Sequence, residues 1–329
     1  MRTAFVSGGL GFLGRNLVEQ LLADQWQVTV MDRDANLPGS MPNDWQDAKV
    51  TLVQGDITNR HSCLKAMPED LDCIFHIAAS TSHWQRGDEV QDRINIDGTR
   101  NMVAVALAKK AKRFVHTSSI AAYGFQPGPV SEQSPSTAPT ARINYFRSKH
   151  KAELEVRRGI SKGLDAVILN PANIIGRYDT VSWARMFKQI ADGSLKAAPP
   201  GYGSFCDAAE VARIHLQAYY NGVCGENYLL GGVDAGFAEV MAEMARLLGC
   251  GAPKPVPAWI LKVLGRVSYW GSLVTGKEPA LTPETAELTS AILVCDSSKA
   301  MNELGFRAVP LADMLADSYQ WLRSEGLLD

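Results

Sequence analysis

Residues 7–14 read Ser-Gly-Gly-Leu-Gly-Phe-Leu-Gly, and this short stretch decides the fold. The apolar residues before it are typical of a buried strand, and Asn16–Leu22 after it has helical periodicity. A glycine loop in that position lets a dinucleotide pyrophosphate approach bare backbone at a helix N-terminus, where unpaired N–H groups favour an anion. The G-x-x-G-x-x-G spacing of Gly8, Gly11 and Gly14 therefore predicts a site for a dinucleotide cofactor.

Segments with strand character alternate with helical segments through the first half of the chain. Buried-strand patterns occur at Arg2–Ser7, Gln27–Asp32, Lys49–Gln54, Asp72–Ile77, Lys112–Thr117 and Leu164–Asn170. The longest helical patterns cover Val90–Lys110 and Ile143–Arg158. This alternation predicts an α/β fold, a Rossmann-type doubly wound parallel sheet. Ligands of such sheets bind at the carboxyl ends of strands, where Ser118 and Ser119 follow the fifth strand.

The regular alternation ends after residue 176. Two further helices and a last strand are predicted at Val181–Ala191, Asp207–Tyr220 and Glu226–Leu230. The predicted division of the chain is a dinucleotide-binding domain at 1–176, with 205–230 returning to it, and a smaller, mostly helical substrate lobe at 177–204 and 231–329.

Two features of the second half have open interpretations. Pro253–Thr275 is crowded with Trp, Tyr, Leu, Ile and Val, and it is either a wall of the substrate pocket or an amphipathic helix buried on its own domain. Such a segment could also touch a membrane surface, although its length and mixed polarity do not require that contact. Asp207 and Glu210 lie near the start of a helix, where they serve either the chemistry or helix capping and structural pairing.

Tyr145 and Lys149 stand four residues apart in a predicted helix. This spacing puts the phenol and the ammonium on one face. A nearby cation favours the phenolate, so we expect Lys149 to lower the pKa of Tyr145 toward the working pH, which suits a general acid and base. The alternative for an isolated Tyr-x-x-x-Lys pair is a solvated surface pair.

Asp32 ends the second predicted strand, about 20 residues past the glycine loop. A carboxylate there can accept both hydroxyls of an adenosine ribose and would repel a 2′-phosphate, which favours NAD. Arg33 and Arg15 lie close by in sequence, and either could pair with a 2′-phosphate, so NADP is not excluded. Both arginines could equally be solvated surface charges.

The bulk composition excludes several classes of protein. A net charge of −2 gives no electrostatic footprint for nucleic acid. No apolar stretch reaches the length of about 18 residues that a membrane span needs, and the N-terminus has no room for a signal peptide before the first strand. The six cysteines are dispersed without zinc-like spacing, so we expect reduced thiols and no metal site. The expectation is a cytoplasmic protein acting on a small molecule.

Taken together, these stretches resemble the extended short-chain dehydrogenase/reductase superfamily, also called the NAD-dependent epimerase/dehydratase family. The resemblance covers nearly the whole chain. Its marks are the glycine loop, Asp32, Asp56, His76-Ile77-Ala78-Ala79, Asn95 to Asn101, Thr117-Ser118-Ser119, and Tyr145 with Lys149. Within the family the sequence looks most like bacterial dihydroflavonol-4-reductase-like and 3β-hydroxysteroid dehydrogenase-like proteins, through Asn170-Pro171, Gly225 to Gly232, Thr275 to Pro279 and Ser298 to Phe306.

The resemblance implies roles for individual residues. Tyr145 would be the general acid or base, Lys149 would hold the nicotinamide ribose, and Ser119, or Ser118 in a register shifted by one, would bind the reacting oxygen. The residues implied for the cofactor are Gly8, Gly11, Phe12, Leu13, Gly14, Asp32, Arg33, Asp56, Ile57, Ala78, Ala79, Lys149 and Pro171. Those implied for the substrate are Ser80, His83, Trp84, Ser119, Asn170 and Asn173. Family members commonly form homodimers through paired helices, so we also expect a homodimer.

Three functions fit this sequence. The first is an NAD(P)-dependent reductase or dehydrogenase acting on a ketone or secondary alcohol of a fairly apolar molecule. The second is a nucleotide-sugar epimerase or dehydratase with tightly bound NAD, which would need arginines such as Arg177, Arg185 or Arg266 to clamp a diphosphate. The third is a cofactor-sensing protein without catalysis, which the presence of Ser119, Tyr145 and Lys149 argues against.

Overall fold

The computed structural model describes residues 1–35, 41–42, 45, 49–82, 84–275 and 281–328. Its strands are β1 (Thr3–Ser7), β2 (Gln27–Asp32), β3 (Val50–Gln54), β4 (Cys73–His76), β5 (Arg113–Thr117), β6 (Ala166–Pro171), β7 (Asn173–Ile175), β8 (Ala197–Ala198), β9 (Tyr202–Asp207), β10 (Asn227–Leu230), β11 (Val233–Gly236), β12 (Lys254–Pro255) and β13 (Ile292–Leu293). Its helices are α1 (Phe12–Ala23), α2 (Arg60–Ala66), α3 (Asp88–Asp92), α4 (Gly98–Ala108), α5 (Asn144–Ile160), α6 (Trp183–Ala191), α7 (Ala208–Asn221), α8 (Phe237–Leu248), α9 (Ala258–Thr275), α10 (Pro283–Leu288), α11 (Ser298–Leu304) and α12 (Leu311–Ser324).

Seven strands form the central sheet, in the order β10-β6-β5-β4-β1-β2-β3. All six pairings in this sheet are parallel. The strand order reverses direction at β1, which lies between β2 and β4. A ligand crevice is expected at that point, outside the carboxyl ends of the strands. The predicted doubly wound parallel sheet is confirmed.

Helices cover both faces of the central sheet. Strand residues alternate between the faces, because successive side chains of a strand point in opposite directions. Val115 on β5 packs in the cluster that contains Leu17 of α1 and Val211 of α7. Its neighbour Phe114 packs in the cluster on the opposite face, which also holds Met102 of α4 and Val156 of α5. Burial on both faces explains why these strands are apolar along their length.

A smaller sheet follows in the second half of the chain. Strand β9 pairs antiparallel with β11 and parallel with β13 and β7. Helices α6, α8 and α12 pack with it around an apolar cluster that includes Trp183, Phe205, Phe237, Met244 and Met314. Strand β10 lies at the edge of the central sheet beside β6. The division of the chain into two domains stays a prediction.

One predicted helix has a different local structure. The segment predicted as a single helix over Val90–Lys110 is α3, a π-helical turn at Arg93–Asp97, and α4. The turn includes Asn95, whose buried side chain bonds the backbone of Ser80 and the hydroxyl of Ser148. A π turn adds one residue to a helix without changing which residues are apolar, so hydrophobic spacing could not reveal it.

Helix α9 lies at the surface. It packs on α10 at Gly265, where a Cβ would lie 3.3 Å from Pro283 Cα and from Ala286 Cβ. Trp259 and Trp270 are 67% and 69% exposed. The helix is neither a pocket wall nor a buried amphipathic helix, because its described side chains do not line the ligand cleft and much of its apolar surface is uncovered. Over the described ranges, none of the helices combines the length and apolar character needed to cross a bilayer.

Candidate active site

The glycine loop lies between β1 and α1 at the strand-order reversal. It closes through a hydrogen bond of 3.1 Å from the Gly11 N–H to the Gly8 carbonyl. Gly8 has φ of 74°, and a Cβ there would lie 2.9 Å from Ala78 Cα. A Cβ at Gly14 would lie 2.2 Å from the Gly8 carbonyl oxygen. The loop can therefore close this tightly only with glycine, which leaves the N-terminus of α1 facing the cleft for an anion to approach.

Asp32 ends β2 at the rim of the same cleft. Its carboxylate accepts backbone N–H groups of Leu10 at 3.3 Å and Asp34 at 3.4 Å, so it is held in place with acceptor capacity to spare. Of the two arginines considered for a 2′-phosphate, Arg33 lines the cleft. The guanidinium carbon of Arg15 instead lies 4.6 Å from the ring centre of Tyr178. Asp32 is thus available to the hydroxyls of an adenosine ribose, and Arg33 is the one of these two arginines that lies at the same cleft.

The walls of this part of the cleft come from the ends of β3 and β4. Asp56 and Ile57 follow β3, and the Asp56 carboxylate accepts both the N–H and the hydroxyl of Thr58, at 2.8 and 2.9 Å. Ala78 and Ala79 follow β4, and the Ala78 N–H bonds the Ser7 carbonyl at 3.0 Å. All four residues line the cleft, as do Phe12, Leu13 and Pro171. The predicted cofactor residues thus lie along one continuous surface.

Ser119, Tyr145 and Lys149 converge at the end of β5. Ser119 lies just beyond the strand, and α5 carries the other two on one face. The Ser119 hydroxyl hydrogen-bonds the Tyr145 phenol, and the Lys149 ammonium donates to the Thr117 carbonyl at 2.8 Å. Lys149 is buried. The Ser118 hydroxyl donates to the Glu153 carboxylate at 2.5 Å, so Ser119 is the serine that faces Tyr145.

The expected lowering of the Tyr145 pKa is not found. Burial raises the pKa of Tyr145, and the hydrogen bond from Ser119 only partly offsets that effect. Burial also lowers the pKa of Lys149 to about 8, against the attraction of the Glu153 carboxylate, which raises it. The expectation was wrong because it considered the charge of the lysine without the desolvation of both groups, which disfavours phenolate and ammonium alike.

A buried polar network lies behind the catalytic group. Glu153 stands one helical turn beyond Lys149, and its carboxylate accepts the Asn170 amide at 2.6 Å and the Asn227 amide at 3.1 Å. Asn170 also donates to the Ser119 carbonyl at 3.0 Å. Asn170 is fully buried and does not line the cleft, so its predicted contact with substrate is corrected: it supports the backbone of Ser119. Extending the four-residue spacing from Tyr145 through Lys149 would have found Glu153.

The cleft has a volume of about 850 Å³ and continues past the catalytic group into an apolar region. Side chains from several segments line that region: Val90, Ile94, Val181, Trp183, Tyr202, Phe237, Leu288 and Leu293. Ser80 and Asn173 also line the cleft, and the Asn173 amide donates to the Ser204 carbonyl at 2.9 Å; their contact with substrate stays a prediction. Trp84 is partly buried beside Arg86 and does not line the cleft. The prediction for His83 falls outside the described residues.

Cationic side chains are sparse in the cleft. Among its described lining residues they are Arg33, Arg93 and Lys149. The arginines suggested for a diphosphate clamp lie elsewhere, and Arg177, for example, pairs with Asp317 at 3.0 Å.

Asp207 and Glu210 have structural partners. Asp207 caps α7 through the Glu210 N–H at 2.8 Å, and the Glu210 carboxylate binds Arg213 at 2.7 Å.

Comparisons with known proteins agree with this architecture. Residues 4–231 match the family described as the NAD dependent epimerase/dehydratase family. A putative dihydroflavonol 4-reductase of Synechocystis sp. is 30% identical over 333 residues, covering 98% of this chain and 95% of the relative. Sterol demethylase protein B of Methylococcus capsulatus is 27% identical over 332 residues, covering 99% of this chain and 100% of the relative. The crystal structure of gox2253 superposes with a TM-score of 0.84 and 27% identity, covering 100% of both chains. The chain therefore belongs to the NAD dependent epimerase/dehydratase family and is an NAD-dependent oxidoreductase.

Proposed function

We propose that this enzyme moves a hydride between NAD and a ketone or secondary alcohol on a fairly apolar small molecule. The observation that supports this most directly is that Ser119 and Tyr145 are hydrogen-bonded to each other where the cofactor surface meets the apolar end of the cleft. Two relatives are named for a dihydroflavonol and for a sterol, which are both compounds with fused rings. A cleft end lined by Trp, Phe, Leu and Val side chains suits such a substrate.

The dinucleotide would lie along the surface that runs from Asp32 to Lys149. The N-terminus of α1 would bind its pyrophosphate, Asp32 its adenosine ribose, and Lys149 its nicotinamide ribose. Bound NAD supplies hydride transfer, which no amino-acid side chain can perform. The close glycine turn fits this ligand, because a residue with a side chain at Gly8 or Gly14 would push the loop away from Ala78 and α1.

The chain's own part of the chemistry is to move a proton and to hold the reacting oxygen. Because burial raises the pKa of Tyr145, the phenol keeps its proton at neutral pH and is ready to donate it to a carbonyl oxygen. In the reverse direction the same oxygen accepts the proton of an alcohol. The Ser119 hydroxyl would hydrogen-bond the reacting oxygen together with Tyr145 and stabilise the charge that develops there.

The nucleotide-sugar epimerase or dehydratase is the competing function. It uses the same tyrosine but must hold a diphosphate, for which paired arginines are the usual ligands. Among the described residues that line the cleft beyond the cofactor surface, Arg93 is the one arginine that could contact a diphosphate. The scarcity of cations at the substrate end supports the reductase.

Two measurements test the proposal. The protein purified without added nucleotide should release little NAD on denaturation, as quantified by mass spectrometry, and should then oxidise NADH in the presence of cyclic ketones of low polarity. Near-stoichiometric NAD that survives dialysis, together with turnover of a UDP-sugar, would establish the epimerase or dehydratase instead.

The matched pair of variants is Tyr145→Phe and Tyr220→Phe. Tyr220 bonds Asp24 on the far side of the molecule, so its variant should retain full turnover. Tyr145→Phe should lower kcat by about 10²–10⁴-fold, the usual contribution of a general acid, while NADH binds with unchanged affinity. Equal turnover by the two variants would show that Tyr145 is not the proton donor.

A further inference from the structure

The surface helix α9 presents an exposed apolar stripe. Trp259, Val263, Val267 and Trp270 are 67%, 49%, 64% and 69% exposed. Their spacings of four, four and three residues place them on one face of the helix. The two tryptophans stand at opposite ends of the stripe, roughly 16 Å apart along the helix axis. Exposed apolar side chains scattered singly need no explanation, but a continuous stripe of this kind marks an interaction surface.

Basic side chains share this face, and the surrounding sequence has no acidic residue. Lys262 and Arg266 are exposed, at positions three and seven residues beyond Trp259. From Leu247 to Lys277 the sequence contains four basic residues and no Asp or Glu, although the whole chain has a net charge of −2. This segment therefore differs in charge from the rest of the protein and complements an anionic partner.

The stripe lies one helix away from the apolar end of the active-site cleft. Helix α9 packs on α10 at Gly265, where Ala286 Cβ would lie 3.3 Å from an added Cβ. The last residue of α10, Leu288, lines the cleft. A partner bound to α9 would thus be close to the part of the molecule where the apolar substrate is expected.

We propose that α9 is an interfacial helix that binds the surface of an anionic lipid bilayer. The tryptophans and valines would enter the boundary between headgroups and acyl chains, and Lys262 and Arg266 would bind lipid phosphates beside them. Tryptophan prefers this depth because its ring is apolar and its N–H remains close to water. The helix lies on the membrane and does not span it. Docking would also let a lipid-soluble substrate pass from the bilayer to the cleft, and this last step rests on the proposed function.

A second copy of the chain is a poorer occupant of the same face. In a two-fold interface each helix would meet its own counterpart, so that Lys262 and Arg266 of one protomer would approach the same cations of its partner. No carboxylate on α9 could pair with them. The centres of protein interfaces are depleted in lysine, whereas an anionic lipid surface neutralises both cations.

Vesicle flotation tests this proposal directly. The purified full chain should float with vesicles of phosphatidylcholine mixed with phosphatidylglycerol, and much less with phosphatidylcholine alone. The double variant W259S/W270S should lose at least about ten-fold in partition coefficient, and K262E/R266E should lose the preference for phosphatidylglycerol. Val223→Ser removes an apolar side chain that is 52% exposed at a different site, and it should float as the wild type does.

Four further readouts keep the outcomes distinct: circular dichroism, NADH affinity, oligomeric state and ketone turnover. Each variant must keep the wild-type circular dichroism spectrum and NADH affinity, because the replaced side chains are exposed and lie outside the cleft. Equal flotation of W259S/W270S and wild type would overturn the proposal, and so would a wild-type protein that does not float. The proposal would also be overturned if the protein formed a concentration-dependent dimer that the α9 variants abolish and did not bind vesicles. Failure of every ketone in the turnover assay would refute the proposed function but leave the flotation result standing.

Discussion

The buried ammonium of Lys149 should make the stability of this protein rise with pH. Burial lowers the pKa of Lys149 from 10.5 to about 8 in the folded protein. Between these two values the unfolded chain binds the proton and the folded chain does not, so the free energy of unfolding increases with pH across that window. A pKa difference of about 2.5 corresponds to roughly 3 kcal/mol. Below pH 8 the ammonium is buried in the folded state, and the free energy of unfolding is lower by this full amount.

Replacing Lys149 with Met removes the charge and keeps much of the volume. At pH 7 the variant gains roughly 3 kcal/mol from the removed charge and loses about 1–2 kcal/mol because the Thr117 carbonyl has no donor. It should therefore be more stable than wild type by about 1–2 kcal/mol at pH 7, and less stable by a similar amount above pH 10.5. It should also be inactive, because the cofactor loses a ligand.

The assay is urea unfolding of cofactor-free protein at one fixed protein concentration between pH 7 and pH 10.5. The quantity to follow is the difference in free energy of unfolding between variant and wild type, in which the titration of all other groups cancels. The exposed Lys151 on the same helix provides the control, and Lys151→Met should leave the pH dependence of wild type unchanged. A difference for Lys149→Met that stays constant with pH would refute the assignment of a desolvated ammonium.

Three other substitutions probe the cofactor surface and its support. Gly14→Ala would place a Cβ 2.2 Å from a backbone oxygen, so NADH should bind at least about ten-fold more weakly in a fluorescence titration; unchanged affinity would mean that the loop has room to move. Asp32→Ala should raise KM for NADH and reduce the preference over NADPH by about ten-fold or more in steady-state kinetics, and an unaltered ratio would remove Asp32 from the recognition of the ribose. Glu153→Gln replaces the carboxylate that accepts the amide donors of Asn170 and Asn227 with another amide. The variant should lower the free energy of unfolding by about 2–4 kcal/mol in urea titrations. Wild-type stability would show that the network tolerates an uncharged side chain at this position.

The fold of the first half could be predicted because local patterns determine it. A strand, a glycine loop and a helix in succession admit few arrangements. Gly14 is required by a contact within that loop, and Gly8 by its positive φ and by the close approach of Ala78. Tyr145 and Lys149 could be placed on one face because their spacing fixes it once the helix is known. These inferences depend on neighbours in sequence, which is where pattern analysis is strongest.

The substrate end could not be predicted, because it is assembled from distant segments. Trp183, Tyr202 and Phe237 come together through the β9 sheet and its helices, and α10 adds Leu288. Nothing in the sequence indicates that these residues share a surface. Asn170 was misplaced for a related reason. A residue at the end of a strand can face the cleft or the interior, and its amide faces Glu153.

The exposure of α9 and the pKa of Tyr145 were missed for physical reasons of a different kind. An apolar helix pattern is typical of a buried helix, and only the tertiary structure shows which part of α9 is covered by α10. The pKa of Tyr145 depends on how far the phenol is removed from water. Sequence spacing carries no information about solvent access.

The position of β10 has a consequence for how the protein is made. Strand β6 ends at Pro171, but its outer neighbour begins only at Asn227. A ribosome adding about 5–20 residues per second needs several seconds to synthesise the chain between them. During that interval the nascent sheet has an unpaired edge, and Glu153 lacks the amide of Asn227. Chaperone binding to the nascent chain would be expected to end once Leu230 has emerged and the edge has closed.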